Sequence, residues 1–402
     1  MKFPPIKEQI DLLSRGVEDF VSPEALEKKL SLAEKTGKQL IAKLGADPSR
    51  PDLHIGHAVV LRKLRQFQDL GHQAVLIIGD FTASIGDPTG RNKTRPSISL
   101  DEARQYGLSY LEQAAAVLDR DELRVVHNSE WLDTMNFTDV IKLAGQVTVA
   151  QMLERDDFSQ RYKNGVPISV HEFLYPLAQA QDSVHLQADV ELGGTDQLFN
   201  LLMGRELQKR SGQEPQVIMT VPLLEGTDGV EKMSKSYDNY IGLTDTPQDM
   251  FGKALSIPDE LIVKYMTLTT DLPMADLKDA EAKMAEGANP RDYKRLLGRE
   301  LVKVYYGEQA GIKAQEDFDK LFIQKDIPDD MPVLQLEEDS NLLNVLSDSS
   351  LFASRGEIRR LIKQNAVSID GEKTGDEFHP FTEAGEFVIK AGKRKFLRVI
   401  RK

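Results

Sequence analysis

Two short clusters in this 402-residue chain combine residue types suited to holding phosphate: His54-Ile55-Gly56-His57 and, about 175 residues later, Lys232-Met233-Ser234-Lys235-Ser236. The first follows an apolar run at 39–45 that reads as a strand. It opens a segment, 55–70, in which Val60, Leu64 and Phe67 recur at i, i+4 and i+7, the helical period. Gly56 and the two histidines therefore fall at a helix N-terminus, where unpaired backbone N–H groups and the helix dipole favour an anion. His54 and His57, three apart, project from the same side of that first turn. The second cluster sets two lysines three apart in a short segment, a mobile pair of cations suited to negative charge that appears and then leaves. Taken singly, a His-x-Gly-His tetrapeptide is more often two ordinary polar residues, and a Lys-x-x-Lys pair a solvated face. Their order, and the strand–helix setting of the first, favour phosphate chemistry.

Three further constellations carry both a bland and a chemical reading. Gly86-Asp87-Pro88-Thr89-Gly90 reads as a tight turn, or as a carboxylate, Asp87, offered to a cationic amino group. Tyr175, Gln179 and Asp182 fall at i, i+4 and i+7, one helical stripe. That stripe is either a satisfied polar face or a pocket wall in which a buried Asp accepts from a substrate hydroxyl. Pro176 argues that the helix starts or kinks there, which would turn Tyr175 off the shared face. Gly193-Gly194-Thr195-Asp196-Gln197 is a common turn, or a close backbone approach to a sugar whose hydroxyls the Asp accepts. No His/Asp/Glu group has metal-ligand spacing, so no protein-bound metal is expected. No Gly-x-x-x-x-Gly-Lys loop or serine nucleophile elbow occurs, and His171 and His185 read as ordinary polar residues.

These residues need a scaffold, which the alternation of strand-like and helical runs supplies. After a helical lead at 8–36, strand-like runs stand at 40–45, 74–79, 123–126 and 217–221, with helical patterns between them. That alternation argues an α/β fold with a doubly wound, parallel, Rossmann-like sheet, whose ligands bind at the carboxyl ends of the strands. Residues 100–185 read as a mostly helical insertion between the two halves of the sheet. Helical patterns fill 246–322, with Leu261, Tyr265 and Leu268, then Leu296, Leu297, Leu301 and Tyr305. A Pro- and Asp-rich stretch at 324–332 reads as linker. The tail reads as a helix at 355–364, a strand and turn at 367–371, and a strand pair within 387–398 around Ala391-Gly392. The expected domains are a catalytic one at 1–240, a helical one at 241–325, a linker at 326–339 and a small α+β one at 340–402.

Length predicts two to three domains, and 40% hydrophobic residues suffice for a substantial core. The chain has no cysteine, which excludes disulfides and thiol nucleophiles and fits a reducing cytoplasm. Its start, broken by Pro4, Pro5 and charges, does not read as a signal peptide, and no apolar run of about 18 residues predicts a membrane span. The net charge of −13 hides a split: residues 340–402 carry 12 Lys+Arg against 8 Asp+Glu, and residues 1–339 carry 39 against 56. A basic tail on an acidic body suits local phosphate contact. Arg355, Arg359, Arg360 and Lys363 share the tail helix, and Lys393-Arg394-Lys395 adjoin Phe396. Such residues are often only solubilising. Their place in the net-positive segment favours RNA contact.

His-x-Gly-His after the first strand and Lys-Met-Ser-Lys-Ser after a late one are the two signatures of class I aminoacyl-tRNA synthetases. Across nearly its whole length the chain resembles the bacterial tyrosyl-tRNA synthetases. The resemblance rests on Gly45-Ala46-Asp47-Pro48, the two phosphate clusters, the Gly86 and Gly193 motifs, and the Tyr175, Gln179, Asp182 spacing. From Ser354 onward the tail resembles the ribosomal S-four-type RNA-binding module of that family, and 241–325 its anticodon-stem-binding domain. The resemblance implies a tyrosine–tRNA ligase that uses ATP with Mg²⁺, tyrosine and tRNA(Tyr), as a cytoplasmic homodimer without membrane contact. By it, His54, His57, Lys232 and Lys235 would be catalytic, holding the ATP phosphates and the departing pyrophosphate. Asp47, Gly56 and Ser236 would join the ATP site, Gly194 and Asp196 would bind ribose, and Leu223 and Leu224 would flank adenine. Asp87, Tyr175 and Gln179 would bind the amino group of tyrosine, Gln197 would face its carboxylate and Asp182 its phenol. Arg355, Arg359, Arg360, Lys393, Arg394 and Lys395 would contact tRNA.

Three positions depart from the better-known bacterial branch. Lys43 replaces a tyrosine that meets the substrate phenol, and so counts with the tyrosine pocket. Val60 replaces a threonine near the ribose, and Glu191 a glutamine. A second branch of the family carries the lysine. Tryptophanyl-tRNA synthetases share the fold and motifs, but Asp182 and the basic tail argue against them. A small-molecule nucleotidyltransferase would have no use for the tail, and a pure RNA-binding protein would leave both phosphate motifs idle.

Overall fold

The computed structural model describes residues 3–48, 53–88, 99–320, 331–382, 384–392 and 395–401. The chain forms two compact units, 1–314 and 315–402. The first is built on a six-stranded sheet: β1 (Phe20–Val21), β2 (Ile41–Ala46), β3 (Gln73–Ile78), β4 (Leu123–His127), β5 (Val190–Gly194) and β6 (Val217–Val221). Its order is β1-β6-β5-β2-β3-β4. All neighbours run parallel except the β1 edge, which pairs antiparallel with β6. β3 and β6 are buried almost throughout, as parallel strands covered on both faces must be. Parallel neighbours need a crossover, and the helices Ile55–Asp69 and Leu198–Arg210 supply two of them. The chain winds outward from β2 in one direction and from β5 in the other. The carboxyl ends of these two strands are therefore the switch point at which such sheets bind ligands.

The strand-like runs all lie in this sheet, with edges moved by a residue or two, and β1 and β5 complete it. The helical lead breaks into Ile6–Ser14 and Pro23–Thr36, because Gly16 turns the chain at φ 66° and β1 follows. The insertion expected at 100–185 is shorter. Leu100–Ala114 is the crossover helix to β4, which belongs to the sheet, and the helical segment between the halves runs from Ser129 to Leu186. There, Leu177 and Ala180 of the helix Leu174–Leu186 share an apolar cluster with Met203 and Leu207, and with Leu143 and Met152 of the insertion.

Residues 241–314 pack with the sheet rather than as a separate body. One cause is Arg15, whose guanidinium donates to the carbonyls of Met266, Thr267, Thr270 and Leu272 at 2.7–3.3 Å. It satisfies the open C-terminal end of the helix Ile262–Thr269 from the other side of position 240. The tail unit also starts earlier than 340. β7 (Val333–Leu336), inside the stretch read as linker, pairs parallel with the last strand. With β9 (Val367–Ile369), β10 (Glu372–Thr374), β12 (Gly385–Ala391) and β13 (Lys395–Arg401) it makes a five-stranded sheet. β8 (Ser340–Asn341) and β11 (Pro380–Phe381) pair beside it. The helix Arg355–Lys363 buries Ile358 and Ile362 in the tail core. Part of the linker expectation, 326–330, lies outside the described residues.

His72, just before β3, shows how the first helix is tied down. Its Nδ1 accepts from the Leu40 N–H at 3.4 Å and its Nε2 meets Gln9 Oε1 at 2.9 Å, with Phe3 stacked on the ring at 4.9 Å. A ring nitrogen that accepts carries no proton, so the site holds the neutral form, and burial pushes the pKa down to about 4. The unfolded chain takes up this proton near pH 6.5 and the folded one only near 4. The stability is therefore complete above 6.5 and falls as pH drops towards 4. Between pH 7 and 5 the loss from this one residue should be about 2 kcal/mol. Thermal melts at the two pH values check this: His72→Asn should be less stable at pH 7 but lose clearly less than the parent on acidification. Equal losses would remove His72 as a cause.

Candidate active site

At the switch point the carboxyl ends of β2 and β5 border a cavity of about 450 Å³. Into it the fold brings Asp47, His54, Gly56, His57, Asp87, Tyr175, Gln179, Asp182, Gly194, Asp196, Gln197, Leu223, Leu224, Lys232, Lys235 and Ser236. These come from five separate stretches of chain, and only Lys43 of the expected pocket residues is missing from the lining. Thr89 and Gly90 lie outside the described residues.

One end of the cavity is cationic and rich in N–H groups. His54 is the N-cap of the helix Ile55–Asp69, and its ring stacks on His57 with centroids 3.8 Å apart. His57 Nδ1 accepts from the His54 N–H at 3.3 Å, which leaves His57 Nε2 as the protonated nitrogen. Desolvation in the cleft lowers His54 to about 3 and His57 to about 4. The neighbouring His57 ring and Lys235 add to this for His54, and Lys232 and Lys235 for His57. The pair thus stays neutral at pH 7 and can offer N–H groups to the cavity, beside the cationic side chains of Lys232 and Lys235. Gly56 leaves the approach open: a Cβ there would stand 3.0 Å from His54 Nδ1.

The lysine segment is a short hairpin, bridged at Glu225–Lys232 and closed by Gly226 N–H to the Glu231 carbonyl at 2.8 Å. Buried Asn239 clasps it. Its Oδ1 accepts from the Ser234 N–H at 2.8 Å, and its Nδ2 donates to Asp228 at 2.7 Å and to the Lys232 carbonyl at 3.3 Å. A side chain on Gly226 would collide with Asn239 at 2.2 Å. At the base of the hairpin Lys264 pairs with Glu225 at 2.7 Å, and the Tyr265 hydroxyl donates to the Glu225 carbonyl.

The other end is acidic and largely buried. Tyr175 shares the face with Gln179 and Asp182 after all, because Pro176 sits in the first turn of the helix Leu174–Leu186, where its missing N–H costs nothing. The Tyr175 hydroxyl donates to Asp47 Oδ2 at 2.8 Å and Thr82 to Asp47 Oδ1 at 2.7 Å. Asp182 is 3% exposed. Its oxygens accept from Trp131 Nε1 at 2.9 Å and Asn128 Nδ2 at 3.4 Å. Burial lifts its pKa to about 7, against the pull of Lys43 and of those two hydrogen bonds. Gln197 Nε2 donates to Asp87 Oδ2 at 3.0 Å. Asp196 is raised by desolvation and then by Asp87, so this wall attracts a cation.

Lys43 is fully buried and pairs with Glu191 Oε1 at 2.8 Å. It does not line the cavity. Glu191 also accepts from Gln179 at 3.3 Å, from Ser183 at 3.1 Å and from Gln216. A carboxylate only accepts, so the Gln179 NH₂ group is committed to Glu191 and its carbonyl oxygen is left for the cavity. Sequence reading missed Thr82, Asn128, Trp131 and Asn239. Each acts by holding another residue of the cavity, Asn239 largely through that residue's backbone, and nothing in local spacing signals that. Among the described residues no group of three or more His, Cys, Asp or Glu is placed to hold a metal, and no helix is long and apolar enough to cross a membrane.

In the tail unit Arg355, Arg359 and Arg360 are exposed on one helix. Arg359 pairs with Glu377 at 2.8 Å, and Lys395 with Glu357 at 2.8 Å. Lys393 and Arg394 lie outside the described residues.

This fold and cavity are those of a class I aminoacyl-tRNA synthetase. The family model for class I tRNA synthetases of the W and Y type matches residues 35–323, and a tyrosine–tRNA ligase C-terminal domain model matches 323–399. Over 405 residues the chain is 53% identical to a tyrosine–tRNA ligase of Salinibacter ruber, covering 99% of this chain and 98% of that one. A tyrosine–tRNA ligase of Thermotoga maritima is 54% identical, with 98% and 97% covered. The chain belongs to the tyrosine–tRNA ligase family. A solved tyrosyl-tRNA synthetase of Archaeoglobus fulgidus shares the fold at 24% identity, with a TM-score of 0.62 over 77% of this chain and all of that one. These findings support the tyrosine reading and give none to the tryptophan or nucleotidyltransferase alternatives.

The buried pair makes a stability prediction. Lys43→Met strands the Glu191 carboxylate away from water, which typically costs 3–5 kcal/mol. Lys43→Met with Glu191→Gln removes both charges and should recover much of that loss. Denaturation midpoints of the parent, both single variants and the double variant give the coupling directly; additive effects would show that the pair does not act as a unit.

Proposed function

We propose that this chain activates L-tyrosine with ATP and transfers it to tRNA(Tyr). A carboxylate oxygen of tyrosine attacks the ATP α-phosphorus in line, and the bond to pyrophosphate breaks. A hydroxyl of the terminal tRNA ribose then attacks the carbonyl carbon of the adenylate, and AMP leaves. Neither step needs a protein nucleophile, so positioning and charge stabilisation carry the acceleration. His54 and His57 donate N–H groups to the phosphates, Lys232 and Lys235 stabilise the departing pyrophosphate, and Mg²⁺ enters with ATP as substrate. Asp47, Gly56 and Ser236 complete the ATP site, Gly194 and Asp196 take the ribose, and Leu223 and Leu224 flank the adenine. Asp87, Tyr175 and the Gln179 carbonyl receive the α-ammonium, Gln197 the carboxylate and Asp182 the phenol. The observation that supports this most is that one cavity joins a neutral His pair and two lysines at one end to a buried Asp182 at the other.

A second copy of the chain is the expected partner, as in the family. Phe137, Ile141, Val149 and Val170 of the insertion are large apolar side chains left exposed, which such a partner would cover. Helices within 241–320 and the tail helix would take the tRNA. The absence of any cysteine fits the cytoplasm as the compartment.

Asp182 tests the tyrosine reading. A hydrogen bond to a charged group contributes roughly 1.5–3 kcal/mol, a factor of about 10–150. Asp182→Ala should lower kcat/KM for tyrosine in ATP–pyrophosphate exchange by at least that factor, and phenylalanine activation far less. An equal fall for both amino acids would mean that Asp182 is structural and the phenol is read elsewhere.

Removing the tail tests the second half-reaction. A chain ending at residue 320 keeps both phosphate clusters and the whole first sheet, so tyrosine-dependent pyrophosphate exchange should persist. Charging of tRNA should fall steeply even at low salt, because Arg355, Arg359, Arg360 and Lys395 are gone, and with them a large share of the salt-dependent affinity. Undiminished charging would show that the tail is not the tRNA anchor.

A further inference from the structure

We infer that Arg155 and Asn200 are positioning residues that fix the amide of Gln197, so that its NH₂ group rather than its carbonyl faces the cavity. The inference rests on the proposed reading of Gln197 as the partner of the substrate carboxylate, and explains how that partner is held. The two ends of an amide are told apart only by what they touch. A guanidinium has donors and no acceptor. Arg155 Nη1 lies 3.2 Å from one end of the Asn200 amide, so that end is Oδ1. The other end of Asn200 is then Nδ2, a donor, and it lies 2.9 Å from Gln197, which must meet it with Oε1. Gln197 is left with Nε2 pointing at the cavity wall, 3.0 Å from Asp87 Oδ2. The polarity of two amide side chains follows from one guanidinium that cannot be reversed.

The anchor is itself immobilised. Arg155 donates through Nε and Nη2 to Asp157 at 2.6 and 2.8 Å, and its guanidinium lies over the Phe158 ring at 4.1 Å. Arg155 is 6% exposed and Asn200 1%. Water cannot readily substitute for either. Were the Gln197 amide reversed, its carbonyl would face both Asp87 and an incoming carboxylate, and Asn200 and Gln197 would oppose two NH₂ groups. A donor is thus set in place before the carboxylate arrives, which spares the cost of turning it on binding.

Asn200→Asp is the sharpest test. It is isosteric, keeps the contact with Arg155 as an ion pair, and converts the link to Gln197 from donor to acceptor. The Gln197 amide must then turn round. Equilibrium binding of tyrosine and of tyrosinol, the analogue with an alcohol in place of the carboxylate, separates orientation from general damage. Tyrosine should bind roughly 10- to 100-fold more weakly, the worth of one hydrogen bond to a charged group, while tyrosinol binds as it does to the parent. Arg155→Met, which frees Asn200 to turn, should show the same selective loss in smaller measure. If both ligands weaken alike in both variants, the two residues only support the fold and the inference is overturned. Gln197→Leu tells this failure from another. If it leaves tyrosine binding intact, the assignment of Gln197 to the carboxylate falls. If it weakens tyrosine while Asn200→Asp does not, the assignment stands and the orienting role falls.

Discussion

Lys43 and Glu191 face each other across β2 and β5, in register and almost without water. Those are the two strands between which the sheet changes direction. A charge buried there without its counterion would cost several kcal/mol, so both must be present and every other lone pair of Glu191 must be used. The structure does this with Gln179, Ser183 and Gln216. Because Gln179 is one of them, the requirement of the buried pair passes to the cavity wall. The ion pair joins the strands, and its remaining valences set what the pocket presents.

The two ends of the cavity are held apart electrostatically. Lys232 and Lys235 help keep the histidines neutral, so the cationic end carries two charges and a set of N–H groups rather than four charges. At the far end burial raises Asp182, and Asp87 and Asp196 work against each other. A zwitterion with a polar ring tip fits such a wall in one direction only. The lysine hairpin meets the rest through Asn239, Lys264 and Tyr265, contacts that can hold it in one position.

Much of this was legible in the sequence because it is local. The strand before His54, the helix after it, the lysine cluster and the Tyr175–Gln179–Asp182 stripe are each carried by neighbours within a few turns. Two departures of the structure from that reading share a cause. β7 reads as linker because Pro328 and Pro332 dominate its flank, yet Val333, Leu334 and Leu336 find a partner in β13, about sixty residues on. Residues 241–325 read as a domain of their own because their period changes from strand to helix, whereas Arg15 ties the helix Ile262–Thr269 to the first unit over some 250 residues of chain. Long-range pairings leave no period. The same holds for Trp131, Asn128 and Asn200, whose types are unremarkable until their partners are known.

Amides illustrate the deeper limit. Gln179 and Gln197 are the same side chain, and the sequence says nothing of which end each turns to the ligand. The structure decides it by what stands behind them. Behind Gln179 is a carboxylate, which can only accept, and behind Gln197, through Asn200, is a guanidinium, which can only donate. Two identical groups thereby become an acceptor and a donor in the lining of one cavity. A side chain with a single polarity, buried and pinned, is enough to impose direction on neighbours that have none of their own.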